Sequence, residues 1–136
     1  TIDPMALDAN FPGDYKAGHP DSEFDTWEET LSRDANFLDA DAHGTIRFVS
    51  ESAEVTGENA GTVSGNLTFL GVTRPVTMDV TYNGVTNYPW NNGRDTIGFT
   101  ATTTLSRSAF GQDSLAGMIS DDVKIEFSGE FLQAAQ

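Results

Sequence analysis

The run Val63-Ser64-Gly65-Asn66-Leu67-Thr68-Phe69-Leu70-Gly71-Val72-Thr73-Arg74-Pro75-Val76-Thr77-Met78-Asp79-Val80-Thr81-Tyr82 decides the fold class. On one side of Gly71, Val63, Gly65, Leu67 and Phe69 alternate with Ser64, Asn66 and Thr68. On the other side, Val76, Met78, Val80 and Tyr82 alternate with Thr77, Asp79 and Thr81. A period of two places every second side chain on one face, so both halves read as strands with one apolar face. Turn chemistry in the Gly71 to Pro75 connection joins them as antiparallel neighbours.

The same period extends outward. Upstream, Ile46 and Phe48 alternate with Arg47 and Val49, giving a strand over 45–50. Downstream, Ile97, Phe99, Ala101, Thr103 and Leu105 form one face of a strand. Val123, Ile125, Phe127 and Phe131 do so against Lys124, Glu126, Ser128 and Glu130, over 123–131. Asn83-Gly84 and Asn91-Asn92-Gly93 read as turns between strands. The first third differs. Pro4, Pro12, Gly13, Gly18 and Pro20 leave room only for short elements. Phe24, Trp27 and Leu31 then recur at helical spacing, with acidic residues in the first turn, predicting an amphipathic helix over 22–33. A strand stub is expected at Thr1 to Asp3, and Phe37 and Leu38 are expected to plug the space beneath the helix. Five strands, a stub and a helix make one mostly β, antiparallel domain over 1–136.

Composition bounds the function. The 136 residues are 38% hydrophobic and 21% charged, with 21 acidic against seven basic side chains, a formal net charge of −14. That charge repels phosphate-rich partners and disfavours an anionic membrane surface, so nucleic acid binding is excluded. Apolar runs are only a few residues long, so no transmembrane helix is expected. The absence of cysteine removes disulfides, thiolate nucleophiles and cysteine metal sites together. Thr1 opens the chain without Met and without the charged and apolar stretches of an export signal, so any such signal is expected to have been cut off or to lie upstream.

Catalytic chemistry finds little support. A hydrolytic site needs a nucleophile, a base and an orienting group, and the two histidines, His19 and His43, lie in loop sequence with no nucleophile frame near any serine. Gly111 to Gly117 lacks the Lys and following helix of a phosphate loop. Asp39, Asp41 and His43 alternate as weak candidate cation ligands, but the run is too short for a calcium loop and reads as a solvated acidic turn. No enzyme activity, metal or resident cofactor is expected. Arg74 and Arg107 are expected to pair with some of the many carboxylates.

Gly65-Asn66-Leu67-Thr68-Phe69-Leu70-Gly71-Val72-Thr73-Arg74-Pro75-Val76 resembles the G-x-L-T-x-x-G-V-T-[KR]-P-V signature of the YceI-like family. Pro89-Trp90-Asn91-Asn92-Gly93-Arg94 is similar to its P-W-G-x-x-R segment. Gly98 to Gly111 is similar to its G-F-x-A-x-T-x-I-x-R-x-x-F-G, and Leu31 to Asp39 to its L-R-S-x-x-F-[LF]-D. Four motifs in the right order cover nearly all of the chain from Leu31.

The resemblance implies a lipocalin-like antiparallel β-barrel that binds a polyisoprenoid, quinone or fatty-acid-like lipid in an apolar tunnel, and that is periplasmic or secreted. The family is not known as an enzyme class. Family chains begin with further strands before the segment resembling Thr1 to Asp8, so the resemblance implies about three strands, roughly 30 to 50 residues, upstream of Thr1. Without them the barrel is incomplete, and a homodimer through exposed strand edges is an alternative way to pair those edges.

Parity then nominates the ligand-contacting side chains: Ile46, Phe48, Val63, Leu67, Phe69, Met78, Val80, Phe99, Ala101, Leu105, Ile125 and Phe127. Phe110, Leu115 and Met118 are expected to close one end, and Trp90, with Tyr88 and Arg94, to stand at the mouth. Small inward residues, Gly65, Ala101 and Thr103, are expected to leave room for a chain. A filled interior would instead mark a β-sandwich-type module that binds a protein or glycan.

Overall fold

A computed structural model describes residues 1–10 and 13–135. Five strands form one antiparallel sheet: β1 (Arg47–Val55), β2 (Ala60–Phe69), β3 (Val72–Asn87), β4 (Asp95–Ser106) and β5 (Asp122–Leu132). Their order is β1-β2-β3-β4-β5, so every neighbour in space is a neighbour in sequence. The sheet is unclosed, with β1 and β5 at its ends. The lipocalin-like expectation is therefore met as five antiparallel strands rather than as a closed barrel.

Local chemistry explains where the elements begin and end. The β2–β3 turn is shorter than the sequence suggested. Leu70 and Gly71 adopt positive φ of 50° and 71°, the backbone of a two-residue hairpin, and Thr68 and Thr73 bond across it through their hydroxyls at 2.8 Å. Val72 to Pro75 already belong to β3.

Asn83-Gly84 is not a turn. β3 runs through it for 16 residues, and the register slips between Tyr82, paired with Phe99, and Gly84, paired with Gly98. The extra residue is a β-bulge, with Gly84 at φ 124°. Beyond it Val85 pairs with Ile97 and Asn87 with Asp95. The bulge thus reverses the parity of β3's last residues.

The helix is also shorter than expected. α1 spans Tyr15–Gly18 and α2 spans Trp27–Arg33. Thr26 sits in extended backbone and accepts a hydrogen bond from Glu29 N–H, while the Glu29 carboxylate accepts from Asp25 N–H at 2.9 Å. This reciprocal N-terminal cap starts α2 at Trp27 and leaves Phe24 outside it. The buried positions of α2 are polar: Thr30 and Ser32 return their hydroxyls to the carbonyls of Thr26 and Glu28. The stub at the amino terminus is a single bridge, with Ile2 and Ile46 exchanging hydrogen bonds at 2.7 and 3.0 Å.

The chain divides into two compact units. The first comprises Thr1–Phe48, Leu67–Arg74 and Ser106–Asp121. It holds the buried Tyr15, Phe24, Ala40, Leu67 and Phe110. Half-buried Phe37 and Leu38 follow α2, where Leu38 N–H donates to Leu31 O. The second comprises Val49–Asn66, Pro75–Leu105 and Asp122–Gln136 and is the larger part of the sheet. No helix among the described residues is long and apolar enough to cross a membrane.

Candidate functional site

In the second unit, alternation along β3 and β4 sorts the side chains by face. Val80 pairs with Ala101 and Tyr82 with Phe99 on one face, while Asp79 pairs with Thr102 and Thr81 with Thr100 on the other. The rings of Tyr82 and Phe99 lie 5.7 Å apart, and Phe99 meets Phe131 of β5 edge-on at 6.1 Å. Three strands thus contribute a ladder of rings flanked by the small Ala101. Val63, Met78, Leu105 and Ile125 are half-buried. Phe127 and Phe131 are 51% and 55% exposed, so the apolar face thins out towards β5.

The opposite face of this unit is tied by hydroxyls and amides. Ser64 bonds to Thr77 at 2.8 Å, Asn66 to Glu51 at 2.6 Å, and Asn83 to Thr100, which in turn meets Ser128 at 3.1 Å. These pairs fix which face is wet. Tyr82 and Phe131, outside the expected contact set, belong to the ring ladder. The same alternation that nominated Val80 and Phe127 could have found them.

Gly65 has a role other than leaving room. It is buried, and a methyl group there would overlap the Val49 carbonyl oxygen and lie 2.7 Å from Ser50 Cα. The backbone of β1 fills the space that the sequence reading reserved for a ligand. Thr103 spends its hydroxyl on the Thr77 carbonyl at 3.0 Å.

Trp90 stands on a short 3-10 turn, Pro89–Asn91, and stacks on Tyr88 with centroids 4.9 Å apart and planes 11° apart. Trp90 as a whole is 75% exposed. The turn is fixed by Asn91 Nδ2 donating to Thr96 Oγ1 and by Arg94 donating to the carbonyls of Asn91 and Gln133. Asn92 and Gly93 supply the positive φ expected of that sequence.

In the first unit Leu67 is buried, and Phe110 packs on half-buried Phe69 with centroids 5.8 Å apart. Ile46 and Phe48 are half-buried. Leu115 and Met118, nominated to close one end, are exposed, Met118 at 83%. The segment carrying them is held from beneath by Arg107. Its guanidinium donates to the carbonyls of Ser120 and Ser114 at 2.8 and 3.1 Å, and to the Gln112 side chain. Gln112 is buried and bonds in turn to the carbonyls of Asn36 and Phe37.

Arg107 therefore ties down backbone and, beside Asp121, also attracts that carboxylate as expected, whereas Arg74 donates to the Ala109 carbonyl. The neighbouring Asp121 carboxylate accepts from Ser106 Oγ, Ser108 N–H and Ser108 Oγ. The Ser106 bond, then the Ser108 backbone bond, hold its pKa below the ordinary 3.8.

The residues considered for catalysis are engaged structurally. His19 stacks on Tyr15 at 4.6 Å and meets the edge of Trp27 at 5.4 Å. His43 lies beside Gly71, its Nε2 3.9 Å from Asp39 Oδ2. Asp41 turns instead to Arg33, at 3.1 Å. Of the three candidate cation ligands, Asp41 thus turns away from Asp39 and His43.

Comparison with known proteins places this arrangement. The chain is 42% identical over 90 residues to a UPF0312 protein of Pseudomonas putida strain F1, covering 62% of this chain and 46% of that one. It is 38% identical over 98 residues to one of Ectopseudomonas mendocina, covering 72% and 50%. The chain spans about half the length of these relatives. A crystal structure of the Campylobacter jejuni YCEI protein superposes with a TM-score of 0.73 at 23% identity, over 83% of this chain and 66% of that one. Burkholderia cenocepacia BcnA does so at 0.64 and 25%, over 75% and 61%. The profile of the YceI-like domain matches residues 16–131, nearly the whole chain, which therefore belongs to the YceI-like family.

Proposed function

We propose that the protein binds the chain of a long amphiphilic lipid of polyisoprenoid, quinone or fatty-acid type, without catalysis, along the apolar strand face that carries Val80, Tyr82, Phe99, Ala101 and Phe131. The observation behind this reading is the ring ladder of three strands beside Ala101, on a face whose reverse side is tied by polar pairs. On that face Phe127 and Phe131 are about half exposed, unlike the dry, filled core of a β-sandwich interaction module, in which the large side chains would be enclosed.

Magnitudes support the reading. Each CH2 taken from water contributes about 0.8 kcal/mol, so burying a chain of some twenty carbons gains on the order of 16 kcal/mol gross, of which association and ordering costs remove a large part. Orientation then needs only a few polar groups, and Arg94 with the Tyr88–Trp90 stack supplies them at one end of the strands. The compartment that goes with this reading is the periplasm or the exterior of a bacterial cell.

Native mass spectrometry of the purified protein, followed by titration of the delipidated protein with a fluorescent isoprenoid or fatty acid, tests the proposal. Phe99→Trp and Ala101→Leu should each weaken binding by about tenfold or more, since overfilling a packed apolar contact costs on the order of 1–3 kcal/mol. Unchanged affinity in both variants, or no binding by the parent chain, would overturn it.

A further inference from the structure

Two Asn-Gly pairs occur in the chain, Asn83-Gly84 and Asn92-Gly93, and the fold holds them differently. An asparagine before glycine can lose its side-chain amide without a catalyst, because glycine, lacking Cβ, lets its main-chain nitrogen approach the preceding Cγ closely. Both asparagines are exposed, so access of water does not separate the two sites. What separates them is how the reacting atoms are tied.

Asn83 is the bulged residue of β3, between Tyr82, paired with Phe99, and Gly84, paired with Gly98. Its Nδ2 donates to Thr100 Oγ1 on β4 at 2.9 Å, and Thr100 in turn meets Ser128 at 3.1 Å. Closing a ring onto the Gly84 nitrogen would break the first of these bonds and open the paired strands around it. Asn92-Gly93 is fixed only through its neighbours. Asn91 N–H donates to Tyr88 O at 2.9 Å and Arg94 N–H to Asn91 O at 3.1 Å. Asn91 Nδ2 bonds to Thr96 Oγ1 and Asn87 Nδ2 to Gly93 O, each at 2.8 Å. Among the described residues no hydrogen bond engages the Asn92 side chain or the Gly93 N–H. Asn92 also sits at φ 52°, a left-handed conformation that costs a non-glycine residue about 1 kcal/mol or more, so rotating it towards ring closure gives up little.

We propose that Asn92 is a site of spontaneous deamidation in the folded protein, and that the β3 bulge protects Asn83 from the same reaction. The Gly93 nitrogen attacks Asn92 Cγ. A new C–N bond forms there, the bond to the side-chain nitrogen breaks, and ammonia leaves with the proton of the Gly93 amide. Water then opens the cyclic imide at either carbonyl. One opening leaves aspartate, and the other leaves isoaspartate, in which the main chain runs through the former side chain. Water is consumed and ammonia released, with no oxidant or cofactor. Either product adds a carboxylate two residues before Arg94. The isoaspartate form also lengthens the main chain next to the Pro89–Asn91 turn, which carries the Tyr88–Trp90 stack.

Incubation of the purified protein at mildly alkaline pH, with peptide mapping and fragmentation to place each mass change, tests the proposal. In the folded protein Asn92 should convert about tenfold faster than Asn83 or more, because reaction at Asn83 waits for local opening of the sheet. In urea both are flexible Asn-Gly pairs and should convert at similar rates. Asn92→Ser should remove most of the acidic species that ion exchange resolves from the aged folded protein. An Asn92 that stays intact, equal rates at the two sites in the folded protein, a preference for Asn92 that persists in urea, or an acidic species undiminished in Asn92→Ser would overturn the proposal.

Discussion

Single side chains carry two effects that no sequence pattern announces. Asp121 accepts hydrogen bonds from Ser106 and Ser108 and has its pKa held below 3.8. A carboxyl depressed in the folded state binds fewer protons there than when unfolded, so it contributes stability above its unfolded pKa and loses it as pH falls through the folded value. Urea unfolding at pH 7 and at pH 3 should therefore show a larger acid loss for the parent than for Asp121→Asn, the difference developing below about pH 4. Equal losses would show that the Ser106 and Ser108 bonds do not outlive folding. Gly65 is the second case. Since a side chain there meets the Val49 carbonyl and Ser50 Cα, both backbone, Gly65→Ala should cost about 1–3 kcal/mol by forcing β1 away. A variant as stable as the parent in thermal unfolding would mean that β1 yields without loss. Both effects depend on which atoms approach from distant sequence, and the residue types alone, an Asp before a strand and a Gly within one, do not reveal them.

Elements were legible where a single period dominates. Val63 to Phe69 and Ile97 to Leu105 are strands because alternation persists over their length, and β2 and β4 contain them. Reading stopped short where local chemistry competes with period. Asn83-Gly84 has the composition of a hairpin turn, yet β3 absorbs it as a bulge because Tyr82 and Val85 both find partners on β4. Phe24 fits the helical spacing, but the Thr26 cap starts α2 three residues later. That cap has a measurable value. Thr26→Ala removes the acceptor for Glu29 N–H and should lower stability by about 1 kcal/mol, with Thr26→Ser restoring most of it. Denaturant titrations of the two variants check this, and a Thr26→Ala midpoint equal to that of the parent would show that the buried hydroxyls of Thr30 and Ser32 suffice to hold α2.

At the scale of the molecule, the motifs read from the sequence lead to the family, and the family profile spans residues 16–131. The apolar face proposed to take the ligand was legible only as parity. Which rings touch depends on register and on the bulge, which shift side chains between faces without altering composition. Net charge is the property that composition states outright. With −14 on 136 residues, like charges crowd together when the chain folds and spread apart when it unfolds, so self-repulsion opposes the compact state. The opposing attractions are weak. Lys16 with Asp25 and Arg33 with Asp41 are exposed pairs, and such pairs contribute about 0–1 kcal/mol each. Screening acts on both, but repulsion extends over the whole surface. Its reach falls from a Debye length of about 30 Å at 0.01 M salt to about 8 Å at 0.15 M. Repulsion should therefore lose more than attraction does, and Tm should rise with sodium chloride over that range. The same scan on Lys124→Glu, which is more acidic by two charges, should show a steeper rise. A Tm that falls with salt in both proteins would mean that specific ion pairs outweigh the net charge.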